Sequence, residues 1–234
     1  MAPADIARDN RSALVTKYVS IAESELYRLD LASGRLTEIN PTDGKVAYGD
    51  AELSPDGRSV YVTSDQDSDV LRLVRIDLAS GRQTVLTPGL NWNVESFDLS
   101  DDGRTLAIVT NEDGLSRLTL RDVASGRALP GPTLPPSVVG GVKFSPDGRR
   151  LAMTVSDARG TDVWSWELPA RRLVRWTESE LGGIDPALLA DAEVIRFKSF
   201  DGRTIPAIVE RPRTRAPGRA PVIINIHGGP EGQE

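Results

Sequence analysis

A single five-residue turn, repeated on a fixed beat, limits what this chain can fold into. Ser54-Pro55-Asp56-Gly57-Arg58 returns as Ser100-Asp101-Asp102-Gly103-Arg104 and as Ser145-Pro146-Asp147-Gly148-Arg149, at spacings of 46 and 45 residues. A second phrase keeps the same beat: Asp30-Leu31-Ala32-Ser33-Gly34-Arg35, then Asp77-Leu78-Ala79-Ser80-Gly81-Arg82, then Asp122-Val123-Ala124-Ser125-Gly126-Arg127. A worn fourth copy stands at Glu167-Leu168-Pro169-Ala170-Arg171-Arg172. Proline presets φ for a reversal, aspartate bonds its own backbone and glycine accepts positive φ, so both phrases turn the chain. Between them the runs alternate apolar and polar, as in Leu71-Arg72-Leu73-Val74-Arg75-Ile76, the pattern of half-buried strands. One unit therefore predicts four strands, over residues 51–53, 59–64, 70–77 and 82–86. Four antiparallel strands in about 40–45 residues is the signature of a β-propeller blade.

Extending the beat gives further strands at 94–99, 105–110 and 117–123 with a weak fourth after Arg127, then at 140–144, 150–156, 161–168 and 172–176. The first unit predicts only its second to fourth strands, at 13–20, 25–31 and 35–39, with no turn phrase or inner strand before them. The expected fold class is mainly β. It is a partial β-propeller over 1–177, with about three complete four-stranded blades plus an incomplete one, an arc cut from a larger ring. Such an arc leaves two blade faces open, and self-association through them is expected.

The charge balance narrows the partners. Lys plus Arg number 28 against 34 Asp plus Glu, a net charge of -6, which repels phosphate backbones and anionic lipid headgroups. Nucleic acid and membranes are therefore not expected partners. No cysteine is present, so disulfides, thiolate metal sites and a Cys nucleophile are excluded. No cofactor or metal site is expected. The N-terminus lacks an apolar signal-type core and no apolar run approaches the roughly 18 residues of a membrane span, which makes the cytoplasm the default compartment. A periplasmic location stays open for a full-length parent.

After Trp176 the beat stops. Residues 178–192 predict a linker with one short helical turn, Asp185 capping Pro186 at the first helical position. Asp201-Gly202 between residues 193–199 and 203–210 predicts a hairpin. Val222-Ile223-Ile224-Asn225-Ile226 predicts a buried strand of an α/β sheet, and it runs directly into His227-Gly228-Gly229-Pro230. Two glycines after a buried strand let the backbone turn sharply and aim an N–H at a ligand, as the oxyanion loop of α/β-hydrolases does. The alternative is an ordinary strand-to-loop turn with a satisfied histidine.

Three segments together resemble a known family: Glu180 to Asp185, Phe197 to Ala207, and Pro221 to Gln233 with its His-Gly-Gly-Pro. They are similar to the propeller–hydrolase junction of the prolyl oligopeptidase family of serine peptidases, in its bacterial acylaminoacyl-peptidase-like branch. The resemblance implies that residues 193–234 are the start of an α/β-hydrolase domain and that the propeller restricts access to short peptides. It implies an oxyanion donor at Gly229 or Gly228, Gly229 being preferred, within a loop structured by His227 and Pro230. In the family the nucleophile elbow, triad Asp and triad His come later in the chain, and the sole histidine here, His227, matches the loop histidine. The chain is thus expected to be a fragment without peptidase activity of its own. The rival reading is a non-catalytic, TolB-like propeller that binds peptides or proteins.

Weaker candidates have plainer explanations. Asp65-Gln66-Asp67-Ser68-Asp69 begins like a calcium loop, but Val70 and Ile76 stand where the loop's glycine and bidentate Glu belong. Trp164 and Trp166 share one strand face, for blade packing or for stacking on a ligand. Trp92 could line the channel, Asn10-Arg11-Ser12 fits a glycosylation acceptor, and the substrate-binding residues are unknown.

Overall fold

The computed structural model describes residues 1–39, 44–213, 218 and 221–226. In the first turn phrase Ser54 Oγ donates to Asp56 Oδ1 at 2.6 Å, Arg58 N donates to the same oxygen at 3.0 Å, and Gly57 N closes on Ser54 O at 2.8 Å. Gly57, Gly103 and Gly148 take φ of 66°, 70° and 67°, which costs no Cβ clash. In the second phrase Asp77 Oδ1 accepts from Ser80 N and Ser80 Oγ at 2.8 and 2.6 Å. The two phrases share a beat because they touch: Leu78 N donates to Arg58 O at 2.9 Å, and Leu31–Arg11, Val123–Arg104 and Leu168–Arg149 repeat the bond.

Between the turns lie four antiparallel meanders, each in chain order. Blade 1 holds β1 (Ala2–Ile6), β2 (Ser12–Ser20), β3 (Glu23–Asp30) and β4 (Leu36–Glu38). Blade 2 holds β5 (Tyr48–Leu53), β6 (Ser59–Ser64), β7 (Arg72–Asp77) and β8 (Gln83–Val85). Blade 3 holds β9 (Val94–Leu99), β10 (Thr105–Glu112), β11 (Leu115–Asp122) and β12 (Ala128–Leu129). Blade 4 holds β13 (Val138–Phe144), β14 (Arg150–Asp157), β15 (Gly160–Glu167) and β16 (Arg172–Arg175). Across blades the first strands contact one another in series, β1 with β5, β5 with β9 and β9 with β13, so they form the inner wall of the arc.

Blade 1 corrects the expectation of an incomplete first unit. β1 pairs with β2, Ile6 opposite Ala13, and completes the sheet, so among the described residues four complete blades stand where three and a part were expected. The connecting turn is a disguised copy of the phrase, Ala7-Arg8-Asp9-Asn10-Arg11. Asn10 N bonds Ala7 O at 2.8 Å, Arg11 N bonds Asp9 Oδ1 at 2.9 Å, and Asn10 takes φ of 54° in place of glycine. Asparagine tolerates that region, so the turn survives without its glycine. The strand itself, Ala-Pro-Ala-Asp-Ile, carries neither alternation nor β-branched residues before Ile6, and it is largely exposed.

The cores lie between blades. Because successive side chains of a strand point to opposite faces, β6 sends Val60 and Val62 toward blade 1 and Tyr61 toward blade 3. The first core joins Leu14 and Leu26 to Val60, Val62, Val74 and Ile76. The second joins Tyr61 and Leu73 to Phe97, Leu99, Leu106 and Ile108. The third joins Ala107, Val109 and Leu120 to Phe144, Leu151, Met153 and Trp166. Each fully buried aliphatic side chain contributes about 1.5–3 kcal/mol. Inner strand β5 also needs one specific glycine: a Cβ on Gly49 would lie 2.4 Å from Oγ1 of the buried Thr63.

Beyond blade 4 a 3-10 turn spans Pro186–Leu188, and Asp185 Oδ1 accepts Ala187 N at 2.9 Å. A hairpin follows, β17 (Ala192–Lys198) with β18 (Thr204–Glu210). Its turn, Ser199-Phe200-Asp201-Gly202-Arg203, is again the blade phrase, with Gly202 at φ 84° and Ser199 N bonded to Arg203 O at 2.8 Å. The expected buried strand at Val222 to Ile226 is not formed: these residues have no strand partner among the described residues, and Ile223 is 95% exposed. A strand is held by its neighbours' backbone groups, and among the described residues none pairs with this segment.

Candidate functional site

The loop that sequence chemistry points to, His227, Gly228, Gly229 and Pro230, lies outside the described residues. The structure describes what leads up to it. Asp162, 5% exposed, accepts from Arg175 Nη2 at 2.6 Å, Thr177 Oγ1 at 2.8 Å and Ser179 N at 2.8 Å, which anchors the exit from blade 4. Burial opposes its charge, but these hydrogen bonds outweigh it and hold the carboxyl below its ordinary value. Asp191 then accepts from Arg159 Nη2 at 3.1 Å, on the β14–β15 turn, and from Arg213 Nη2 at 2.9 Å. The hairpin itself leans on the β10–β11 turn. Arg196 pairs with Asp113, and Gly114, at φ 89°, lies next to Ile208, whose Cδ1 would be in ordinary contact with a Cβ there at 3.4 Å. The tail thus rests on equivalent turns of two adjacent blades.

The second concentration of chemistry is the inner wall. The first strands carry Asp5, Asp50, Glu52, Glu95 and Asp98, against one base, Lys143. Three of these acids hold a relay between blades. Asp5 Oδ2 accepts Leu53 N at 2.7 Å, Glu52 Oε2 accepts Leu99 N at 3.0 Å, and Asp98 Oδ2 accepts Phe144 N at 2.6 Å. Each acid stands two residues before its turn phrase and each acceptor bond reaches the next blade. At the fourth such position Lys143 donates back to Asp98 and, at 3.4 Å, to Glu52 Oε1. Burial, with the Asp98 charge next to it, pushes the Glu52 carboxyl up to about 7. Burial also raises Asp50. Burial opposes the Lys143 charge, but the Asp98 hydrogen bond and the two carboxylates prevail and raise the ammonium.

Sequence reasoning did not single out this relay. The signal was present: Asp5, Glu52 and Asp98 keep the blade beat, visible once the repeat is aligned two residues upstream of each turn.

The remaining candidates fall into packing roles. Trp166 is buried in the core between blades 3 and 4, and Trp164 packs against the same cluster with the Arg175 guanidinium 5.7 Å from its ring centroid. Trp92 is half-buried in the loop before β9. Asp65 Oδ1 is taken up by Ala47 N at 2.7 Å. Among the described residues no group of three His, Cys, Asp or Glu side chains could hold a metal ion.

No family model matches the sequence, and no curated protein matches it. Solved structures do match in fold. Prolyl oligopeptidase B from Galerina marginata, bound to a 25mer macrocyclization substrate, superposes with a TM-score of 0.71 at 14% identity over 88% of this chain and 30% of its own. A puromycin hydrolase gives 0.69 at 22% identity over 88% of this chain and 32% of its own. TolB from Acinetobacter baumannii gives 0.61 at 22% identity over 76% of this chain and 44% of its own. The chain therefore spans less than half the length of these proteins and shares their propeller fold.

Proposed function

We propose that this chain is the propeller arc and domain junction of a propeller-gated serine peptidase of the prolyl oligopeptidase family, whose substrates are short peptides. The observation that carries the reading is the continuation past blade 4. The last blade passes through an anchored linker into a hairpin docked on blades 3 and 4, and then into an apolar run ending in His227-Gly228-Gly229-Pro230. In this reading residues 193–234 open the hydrolase domain, and the Gly229 N–H, or that of Gly228, is one oxyanion donor held by the His227 and Pro230 loop. An acylaminoacyl- or dipeptidyl-type cleavage is the expected chemistry. Removing one oxyanion donor costs on the order of 10²–10³ in rate, whereas without nucleophile and base there is no covalent route.

The test is a fluorophosphonate probe with aminoacyl and acyl-aminoacyl chromogenic substrates, applied to the 234-residue chain and to the product of the reading frame read past codon 234. Labelling and turnover confined to the longer product support the proposal. Labelling of the short chain, or a longer product with no Gly-x-Ser-x-Gly elbow, overturns it.

The likeness to TolB favours one second reading, a propeller that binds peptides or proteins without chemistry. Binding of a peptide library with no hydrolysis by the longer product would select it. In either reading the arc's outer faces are free to meet other blades. Val163 and Ala152 on blade 4 are exposed, while on blade 1 Lys17 bonds Glu25 at 2.7 Å beside Tyr27. We expect concentration-dependent self-association by light scattering, and a monomer across the accessible range would remove that partner.

A further inference from the structure

We propose that Glu52, Asp98 and Lys143 form a proton-responsive staple across blades 2, 3 and 4, a carboxyl pair neutralised by one ammonium and one proton that grips the inner wall most tightly with the proton bound. The geometry is specific. Asp98, 1% exposed, takes Phe144 N on one oxygen and Lys143 Nζ on the other. Glu52 takes Leu99 N on one oxygen and the same Lys143 at 3.4 Å on the other. One ammonium, on a side chain 70% exposed, thus serves the buried Asp98 and the half-buried Glu52, which each hold a backbone N–H of the next blade. When both carboxyls are ionised, one negative charge stays uncompensated beside the buried Asp98.

Among the described residues no second base pairs with either carboxyl. Of the charged groups on the packed elements, Asp5 on β1 is occupied by Leu53 N and Ile6 N, and Asp50 shares β5 with Glu52. Glu95 on β9 accepts from Asn111 at 3.0 Å, and Arg8 at the neighbouring turns is paired with Asp101 at 2.9 Å. A proton on Glu52 is the remaining way to neutralise the pair, in accord with its carboxyl being raised to about 7. The sign follows from linkage. The folded state holds this proton between the ordinary 4.5 and about 7 while the unfolded chain does not, so stability falls as pH rises through that window and levels off above it. Since these strands form the inner wall of the arc, the staple makes the spacing of that wall depend on pH.

The experiment compares the 234-residue chain with Glu52→Gln and Lys143→Met. Glutamine keeps the acceptor for Leu99 N and removes the titration. Wild type is expected to lose melting temperature from pH 5 to pH 7 and then level off. Glu52→Gln should match it at pH 5 and exceed it at pH 8 by ~3 °C, the shift that about 1 kcal/mol produces in a domain of this size. Lys143→Met should lower the melting temperature at pH 8, with protection of the Leu99 and Phe144 amides reduced, and acid should restore both. Carbon NMR of the Glu52 carboxyl supplies a readout that needs no variant, with a midpoint near neutrality expected. Parallel melting profiles for wild type and Glu52→Gln, or a carboxyl midpoint near 4.5, would overturn the proposal.

Discussion

Residues 2–175 and residues 192–226 use the same turn chemistry and end in opposite conditions. Ser54-Pro55-Asp56-Gly57-Arg58 and Ser199-Phe200-Asp201-Gly202-Arg203 share the bond from the glycine N–H to the serine carbonyl, yet the first joins strands that bury Val60 and Val62 completely, while β17 and β18 contain no buried residue. The turn sets local reversal and nothing more. Burial comes from a neighbour that repeats the same pattern: each blade receives its apolar partners from the next, as expected for an array stabilised by nearest-neighbour interfaces. The hairpin has no such neighbour among the described residues and meets the β10–β11 turn through the Arg196–Asp113 ion pair and a contact between Gly114 and Ile208.

The sharpest way to break this comparison is to truncate one side chain in each region. Leu73, fully buried between blades 2 and 3, should cost about 2–5 kcal/mol when changed to alanine, because the cavity is lined by strands that cannot collapse inward. Ile223→Ala, at a site 95% exposed, should stay within about 0.5 kcal/mol. Urea unfolding of both variants measures the contrast, and similar losses would show that the tail has a core of its own.

A gain of stability should come from repairing a worn repeat. Arg171 sits at φ 50° where its counterparts are glycines at about 70°, as at Gly34, Gly81 and Gly126. A left-handed conformation costs a non-glycine residue about 1–2 kcal/mol, so Arg171→Gly should raise stability by about 1 kcal/mol. A melt that is unchanged or lowered would mean that the arginine side chain contributes more than its backbone strain costs.

These substitutions also show what the sequence makes legible. Three blades were readable because glycine, proline and aspartate recur at a fixed spacing, and the strands between them alternate. Blade 1 lost its inner strand in the reading because Asn10 replaces glycine and Ala7 replaces serine, which keeps the turn's backbone bonds while erasing its lettering. The relay of Asp5, Glu52 and Asp98 was hidden for another reason: its bonds join residues 46–48 positions apart, and no local pattern announces a carboxylate that serves the next repeat. Residues 222–226 looked like a buried strand because composition reports what a segment would bury, and a segment only does so when a partner is present. The motif at His227 to Pro230 was legible as chemistry and lies outside the described residues.

Smaller effects test how the hairpin is held. Arg196 pairs with Asp113 at a site where the arginine side chain is 55% exposed, so Arg196→Ala should change global stability by less than about 1 kcal/mol. Amide exchange across β17 and β18 should nevertheless speed up while blades 1 and 2 are unaffected. Unchanged exchange in the hairpin would shift its support to the Gly114–Ile208 contact.

The last and smallest effect distinguishes the turns from the inner wall by the sign of their response to acid. Asp77 and Asp122 accept hydrogen bonds first from the Ser80 and Ser125 hydroxyls and then from the same residues' N–H groups, which lowers each carboxyl below its ordinary 3.8. The folded pKa lies below the unfolded one, so the ionised form favours folding. That contribution is complete above about 4 and disappears as pH falls through the folded value. Glu52 behaves oppositely, its raised carboxyl weakening the fold as pH rises. Stability should therefore pass through a maximum on the acid side of neutrality. Asp77→Asn should shallow the acid limb and leave the alkaline side unchanged, because asparagine can still accept from Ser80 but no longer titrates. Melting curves from pH 3 to 6 measure it. An acid limb of unaltered slope in Asp77→Asn would show that this turn contributes nothing to the pH dependence.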